Sequence, residues 1–203
     1  MNYFPMFMHI KGQEILICGG GKHAVEKIEK LQPFLPKIHV ISENISTKIK
    51  SMQNITMAER SLSKEDLYAY PLFVIAAEDE TENKRIAKLC RKFHIPVNAV
   101  DQPEDCDFIF PSMIATEQLC IGVSTGGVSP TGAICLKNRF ADMIPDEIDN
   151  ILLWVKSLKE KMKAEQIPVC VRNNFLRTAM HQALDKERIL TASELNEIYK
   201  NIP

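Results

Sequence analysis

The stretch Ile15-Leu-Ile-Cys-Gly-Gly-Gly-Lys-His-Ala24 constrains this chain more than any other. An apolar run meets three glycines, and a helix-forming segment follows. Gly19, Gly21 and Ala24 stand at the spacing G-x-G-x-x-A. Gly19 would let the chain turn tightly at a strand's end. Gly21 lacks a Cβ, so a pyrophosphate could approach the backbone, and Ala24 is small enough for a helix to pack close to a sheet. Free N–H groups at the helix start would then face the phosphates. The same glycines would also serve a plain strand-to-helix turn, and spacing alone leaves both readings open.

Strand and helix signals alternate after this turn. Glu14–Cys18 reads as a buried strand and Lys22–Gln32 as a helix, closed by Pro33 and Pro36. Ile38–Ile41, Ile55–Ala58, Leu72–Ala77 and Pro96–Val100 read as four further strands. Thr81–Phe93 has helical spacing through Ile86, Leu89 and Phe93, with Thr81 as its N-cap. Continuous apolar strands separated by helices predict a parallel sheet covered on both faces, a Rossmann-like α/β layer. After Asp101 the texture changes. Asp107–Pro111 and Leu119–Ser124 read as strands, and helical patterns follow over about 129–142, 145–164, 168–186 and 191–201. Pro130, Pro145 and Pro168 suit first-turn positions. Thr191-Ala-Ser-Glu194 fits a capping box. Ile148, Ile151, Leu152, Val155 and Leu158 have the spacing of one buried helix face.

Composition excludes several classes. The net charge of −1 argues against nucleic acid or an anionic membrane as the main partner, since both need a basic surface. No apolar run approaches the roughly 20 residues of a membrane span, and Met1–Gly12 lacks the pattern of a secretory signal. The six cysteines contain no C-x-x-C pair and read as reduced thiols of a cytoplasmic protein. The histidines show no zinc-ligand spacing, so no metal site is expected. His39 and His94 read as structural, whereas His23 would lie near anything bound at the glycine turn.

Ligands of open parallel sheets bind beyond the carboxyl ends of the strands. The candidates there are the glycine loop, then Ser42-Glu43-Asn44 after the second strand, then Ala76-Ala77-Glu78-Asp79 after the fourth. A carboxylate after the second strand commonly binds the adenosine ribose and disfavours a 2′-phosphate, which leans toward NAD over NADP, although Glu43 stands slightly late. Ala77 would let a ribose or nicotinamide approach. Asp101, at the end of the fifth strand, could take or deliver protons or could simply cap a turn. Ser124-Thr-Gly-Gly127 could bind an anion through hydroxyls and N–H groups, or form a structural turn.

These motifs together resemble a family. Phe4-Pro-Met-Phe7, Gly19-Gly-Gly21, Val74-Ile-Ala-Ala77, Val97-Asn-Ala-Val-Asp101, Phe108-Ile-Phe-Pro111 and Val123-Ser-Thr-Gly-Gly127 with Ser129-Pro130 occur in the order seen in the precorrin-2 dehydrogenase family. That family is the dehydrogenase/ferrochelatase part of siroheme synthase. The likeness runs from about residue 2 to about residue 164. It implies NAD-dependent oxidation of precorrin-2 to sirohydrochlorin, with Asp101 as general base. It implies cofactor contacts at Lys22, His23, Glu43 and Asn44, beside Gly19, Gly21, Ser42 and Ala77, which the turn and the strand ends already offer for the cofactor. It implies that Ser124, Thr125 and Gly126 border the tetrapyrrole; in one branch this loop carries a phosphorylated serine, and Thr125 is the matching position. It implies a homodimer interlocked through the segment after Pro111, and therefore three parts: a Rossmann-like domain (1–111), a dimerisation segment (112–144) and a helical C-terminal domain (145–203). The many carboxylates of precorrin-2 call for basic residues, and Lys137 and Arg139 are candidates, or else a solvated helix face.

The chain departs from the family pattern at His9, at Lys22-His23 and at Glu78. A lysine at 22 would favour a phosphorylated cofactor. Two alternatives therefore stay open. One is a bifunctional dehydrogenase and ferrochelatase that takes ferrous iron as a substrate. The other is a non-catalytic nucleotide- or tetrapyrrole-binding protein.

Overall fold

The computed structural model describes residues 3–201. The chain divides into two compact units, Met1–Phe110 and Pro111–Pro203.

The first unit carries β1 (Glu14–Cys18), α1 (Lys22–Leu31), β2 (Lys37–Ile41), α2 (Thr47–Lys50), β3 (Ile55–Ala58), β4 (Phe73–Ala76), α3 (Glu80–Lys92) and β5 (Val97–Ala99). The strands pair in parallel in the order β3-β2-β1-β4-β5. β1 is central, and Ile15, Leu16, Ile17 and Cys18 are all at most 3% exposed. Successive side chains of a strand point to opposite faces. Ile15 and Ile17 accordingly pack with Ala24, Val25, Ile28 and Leu31 of α1, while Leu16 and Cys18 pack with Ile86, Ala87 and Cys90 of α3. The run is apolar throughout because both faces are covered. The strand order reverses between β2 and β4 around β1, which makes the carboxyl end of β1 the switch point of the sheet.

Two local expectations change. α3 is capped by Asp79, not Thr81: the Asp79 carboxylate accepts the Glu82 N–H at 3.0 Å. An acid one residue before the helix reaches the third N–H, which Thr81, already inside the first turn, does not. Asp107–Pro111 is a loop rather than a strand. Phe108 and Phe110 turn onto Phe73, with ring centroids 4.9 and 6.5 Å away, and the Phe108 carbonyl accepts Asn98 Nδ2 at 2.9 Å. The apolar pattern there builds an aromatic cluster, and the strand comes after it.

Between β3 and β4, Asp66 accepts two hydrogen bonds from the Arg60 guanidinium, at 2.7 and 2.6 Å, and one from the Ser63 N–H at 2.9 Å. The Arg60 bonds hold its carboxyl down at about 2. A carboxyl lowered by folding stabilises the fold above its unfolded value near 4 and loses that contribution as pH falls toward its folded value. Asp66→Asn is expected to lower the melting temperature by about 2 °C at pH 7, as suits a partly exposed pair. The gap to wild type should narrow by pH 3, as thermal melts at the two pH values would show.

The second unit opens with an antiparallel hairpin, β6 (Ser112–Ala115) and β7 (Cys120–Val123). It continues with α4 (Pro130–Ala141), α5 (Ile148–Ala164), α6 (Val169–Asp185) and α7 (Ala192–Lys200). Pro130 occupies the first turn of α4, but Pro145 precedes α5 by three residues and Pro168 is the N-cap of α6. Thr191 and Glu194 form the expected capping box of α7. Ile151, Met162, Phe175, Ala179, Ala183, Leu190 and Ile198 make the core of this unit. The Asp149 carboxylate of α5 accepts the N–H groups of Glu117 and Gln118 and the Thr116 hydroxyl, which ties the hairpin tip to the helix. Among the described residues no helix is long and apolar enough to cross a membrane.

Candidate functional site

The glycine turn is built between two neighbours at the carboxyl edge of the sheet. The Gly19 N–H donates to the Ile41 carbonyl at 3.0 Å, the Ser46 N–H donates to the Gly20 carbonyl at 3.0 Å, and the Ala77 N–H donates to the Cys18 carbonyl at 2.7 Å. Gly19 adopts φ 139°, and a Cβ there would stand 2.5 Å from the Ala77 carbonyl oxygen. A Cβ on Gly20 would stand 2.0 Å from the Asn44 carbonyl oxygen. Gly21 differs, because a Cβ there meets only open space. It is the N-cap of α1 and supplies no side chain to cap it, and no hydrogen bond engages the N–H groups of Lys22, His23 or Ala24 among the described residues. Unpaired N–H groups at the positive end of a helix, under an open approach, suit a phosphate.

Beside the turn lies a cavity of about 280 Å³, floored by Cys18 and walled by Ser42, Glu43, Asn44, Ser61 and Glu78. Its volume is close to the roughly 300 Å³ at which small-molecule pockets begin. Burial pushes the Cys18 thiol well above its ordinary value, so this floor is not a nucleophile. Ser42, only 4% exposed, donates to Glu78 Oε1 at 2.6 Å, and Ser61 donates to Glu43 Oε1 at 2.6 Å. Glu78 is fixed further through its N–H, which donates to Asn83 Oδ1 at 2.9 Å. Asp79 and Glu82 complete an acidic rim. Among the described residues only Glu82 of these four acids has a cationic partner, Arg85 at 2.6 Å. Lys22 pairs with Glu26 at 3.8 Å and is 85% exposed, so it does not offset these acids from within the cavity. The open Gly21, the free N–H groups of α1 and the hydroxyl-carboxylate pairs at Ser42 and Glu43 fit the phosphates and ribose of a dinucleotide.

Asp101 lies two residues beyond β5, at φ 61°, at the apex of a turn. The turn is pinned on both sides. The Val100 N–H donates to the Ala76 carbonyl at 2.9 Å, and buried Gln102 donates through Nε2 to the Glu80 carbonyl at 3.1 Å. The Asp101 carboxylate itself is exposed and makes no hydrogen bond or ion pair among the described residues. The Cys106 thiol braces the same turn, donating to the Ala99 carbonyl at 3.1 Å and the Gln102 carbonyl at 3.3 Å.

One residue of α1 that its sequence pattern does not single out belongs beside these. Lys27 places Nζ 4.3 Å from the centroid of the Phe110 ring, and Cys106 and Asp101 are near enough to bear on its charge. Its only sequence signal is its place next to the buried stripe Ala24, Ile28 and Leu31.

Among the expected site residues, Gly19, Gly21, Ser42, Glu43, Asn44 and Ala77 gather around the turn and cavity, with Ala77 buried against Gly19. His23 is exposed on the first turn of α1. Ser124, Thr125 and Gly126 belong to the second unit, in the loop from β7 to α4. There the Thr125 hydroxyl donates to the Ser129 carbonyl at 2.9 Å and accepts the Ser129 N–H at 3.0 Å, while the Gly126 N–H donates to Ser124 Oγ at 3.1 Å. Lys137 and Arg139 sit on α4, and His9 is exposed ahead of β1.

A family model described as "Putative NAD(P)-binding" matches residues 6–112, which hold the whole five-stranded sheet. The chain belongs to this NAD(P)-binding family. Relatives of this NAD(P)-binding chain include the siroheme synthase of Thioalkalivibrio sulfidiphilus, 34% identical over 178 residues, 86% of this chain and 36% of that protein. The siroheme synthase of Nitrosomonas europaea is 33% identical over 167 residues, 80% of this chain and 35% of that protein. The likeness to siroheme synthase drawn from the motifs is thus found again over most of the chain, and the chain spans about a third of the length of these curated relatives. The solved structure of SirC, precorrin-2 dehydrogenase, superposes with a TM-score of 0.70 over 98% of both chains at 16% identity, so the two share a fold.

Proposed function

We propose that the chain oxidises precorrin-2 to sirohydrochlorin with NAD. The observation that carries this reading is the unpartnered Asp101 carboxylate, presented at the carboxyl edge of the same sheet whose first turn is open to a dinucleotide. The oxidation removes one hydride and one proton from the macrocycle. NAD, when bound, accepts the hydride. Asp101 Oδ1 or Oδ2 takes the proton, and its pinned turn keeps the carboxylate from collapsing onto a neighbour. Gly21 and the first N–H groups of α1 would hold the pyrophosphate, and Ser42, Glu43 and Asn44 would hold the adenosine ribose. The siroheme synthase relatives and the SirC fold support the choice of substrate.

The acidic rim favours NAD over NADP, because a 2′-phosphate would face Glu43 and Glu78 in a cavity that no Lys or Arg of the described residues lines. kcat/KM with NAD is expected to exceed that with NADP by at least about tenfold, and Glu43→Ala should narrow the ratio. Steady-state rates with each cofactor would decide this. Ferrous iron insertion is a second activity of the same reading, since an exposed carboxylate without a partner also suits removal of pyrrole protons. Ile134, Leu136 and Phe140 of α4 and nearby Met143, all more than 40% exposed, support a homodimer formed through residues 112–144, with the helical part at 145–203. Ser124, Thr125 and Gly126 are assigned to the tetrapyrrole.

The direct test is anaerobic turnover of precorrin-2 with NAD, followed by absorbance, with ferrous iron added afterwards. Sirohydrochlorin formation supports the reading. A folded protein that oxidises nothing with either cofactor would be a binding protein instead.

A further inference from the structure

Lys27 is half-buried on α1, yet none of the hydrogen bonds or ion pairs of the described residues involves its ammonium. Its one specific contact is the face of Phe110, at 4.3 Å. That ring is held in turn against Phe108 and Phe73, at 5.7 and 6.5 Å, so the platform under the lysine is built into the core edge. Cations favour aromatic faces, but a ring satisfies none of the three N–H donors of an ammonium. A lysine normally escapes such a position by extending into water. This one stays over the ring, which packs on the same apolar cluster as Val100, the residue before Asp101.

We propose that the Lys27 ammonium, seated on Phe110, binds one carboxylate of the tetrapyrrole and so helps to hold the macrocycle. The proposal rests on the precorrin-2 reading above. A carboxylate supplies what the ring does not, a charge-assisted acceptor for the N–H groups. The cofactor phosphates are a poor alternative occupant. They belong at the N–H groups of residues 22–24, whereas Lys27 stands three residues further along α1 and is engaged on the Phe110 ring. Electrostatics agrees with an anion at this place. Burial, and then the like charge of Lys30, pull Lys27 down to about 8, with Glu26, Cys106 and Asp101 acting weakly the other way. A bound carboxylate would raise it again. Tetrapyrrole affinity should therefore be full below about pH 8 and fall as pH rises above it.

Lys27→Met tests this, because it keeps a stem over Phe110 and removes only the charge. Sirohydrochlorin binding by absorbance titration is expected to weaken by about tenfold to a hundredfold, and KM for precorrin-2 to rise similarly, with kcat much less affected. NAD affinity and melting temperature should stay at wild-type values. Lys27→Arg should retain binding and lose the fall above pH 8, since arginine stays charged. Unchanged sirohydrochlorin affinity in Lys27→Met, with wild-type turnover intact, would overturn the carboxylate site and leave the dehydrogenase standing. A wild-type protein that neither binds sirohydrochlorin nor oxidises precorrin-2 would overturn both.

Discussion

Asp101→Asn is expected to cut precorrin-2 oxidation at least about a hundredfold while leaving the fold intact, the range that loss of a general base produces. The side chain has no partner to lose, since it is exposed and makes no bond among the described residues. The backbone is the remaining concern, because residue 101 stands at φ 61°. Asparagine tolerates that left-handed conformation better than most residues, so the amide keeps the shape of the turn and removes only the basic oxygen. Alanine would mix the chemical loss with backbone strain. The measurement pairs anaerobic turnover with a thermal melt. A melt within about 2 °C of wild type and a collapsed rate would assign the proton to Asp101. A normal rate would remove it from the mechanism.

The second large effect concerns stability. Gly20→Ala is expected to cost about 3 kcal/mol or more, a large share of a domain's stability, and to lower the melting temperature well below that of the wild type. The added Cβ would stand 2.0 Å from the Asn44 carbonyl oxygen and 2.7 Å from Ile45 Cα, both backbone atoms that have nowhere to move. Gly21→Ala is the informative contrast. Its Cβ meets nothing in the protein, so the fold should melt as wild type while cofactor affinity falls. Circular dichroism melts and cofactor titrations on the two variants would separate the glycine that shapes the turn from the one that leaves room for a ligand. Equal stability of the two variants would contradict the packing of Gly20 against the loop after β2.

The fingerprint G-x-G-x-x-A marks Gly19, Gly21 and Ala24 but is silent on Gly20, whose crowding comes from a loop more than twenty residues away. Such long-range closeness separates what the sequence reveals here from what it hides. The five parallel strands were legible because burial on both faces leaves continuous apolar runs, a local signal. Asp107–Pro111 misled because Phe108 and Phe110 are as apolar as strand residues, and their true partner, Phe73, lies far along the chain. Around the site, Ser42, Glu43 and Asp101 were legible from their places after strands. The bond from Ser42 to Glu78 was not, since it joins residues 36 apart. Lys27 was hidden for the same reason: a helical lysine looks solvated until a distant phenylalanine is placed beneath it.

The bonds that hold the glycine turn run from main chain to main chain: Gly19 to Ile41, Ser46 to Gly20, Ala77 to Cys18. A loop stitched this way does not register which side chains its neighbours carry. Lys22, His23 and Glu78, three of the four positions that depart from the precorrin-2 dehydrogenase pattern, supply none of these stitches. Substitution at such positions is expected to leave the main-chain bonds of the turn in place. Charge and affinity at the mouth of the pocket can thus be changed by substitution while the turn keeps its shape.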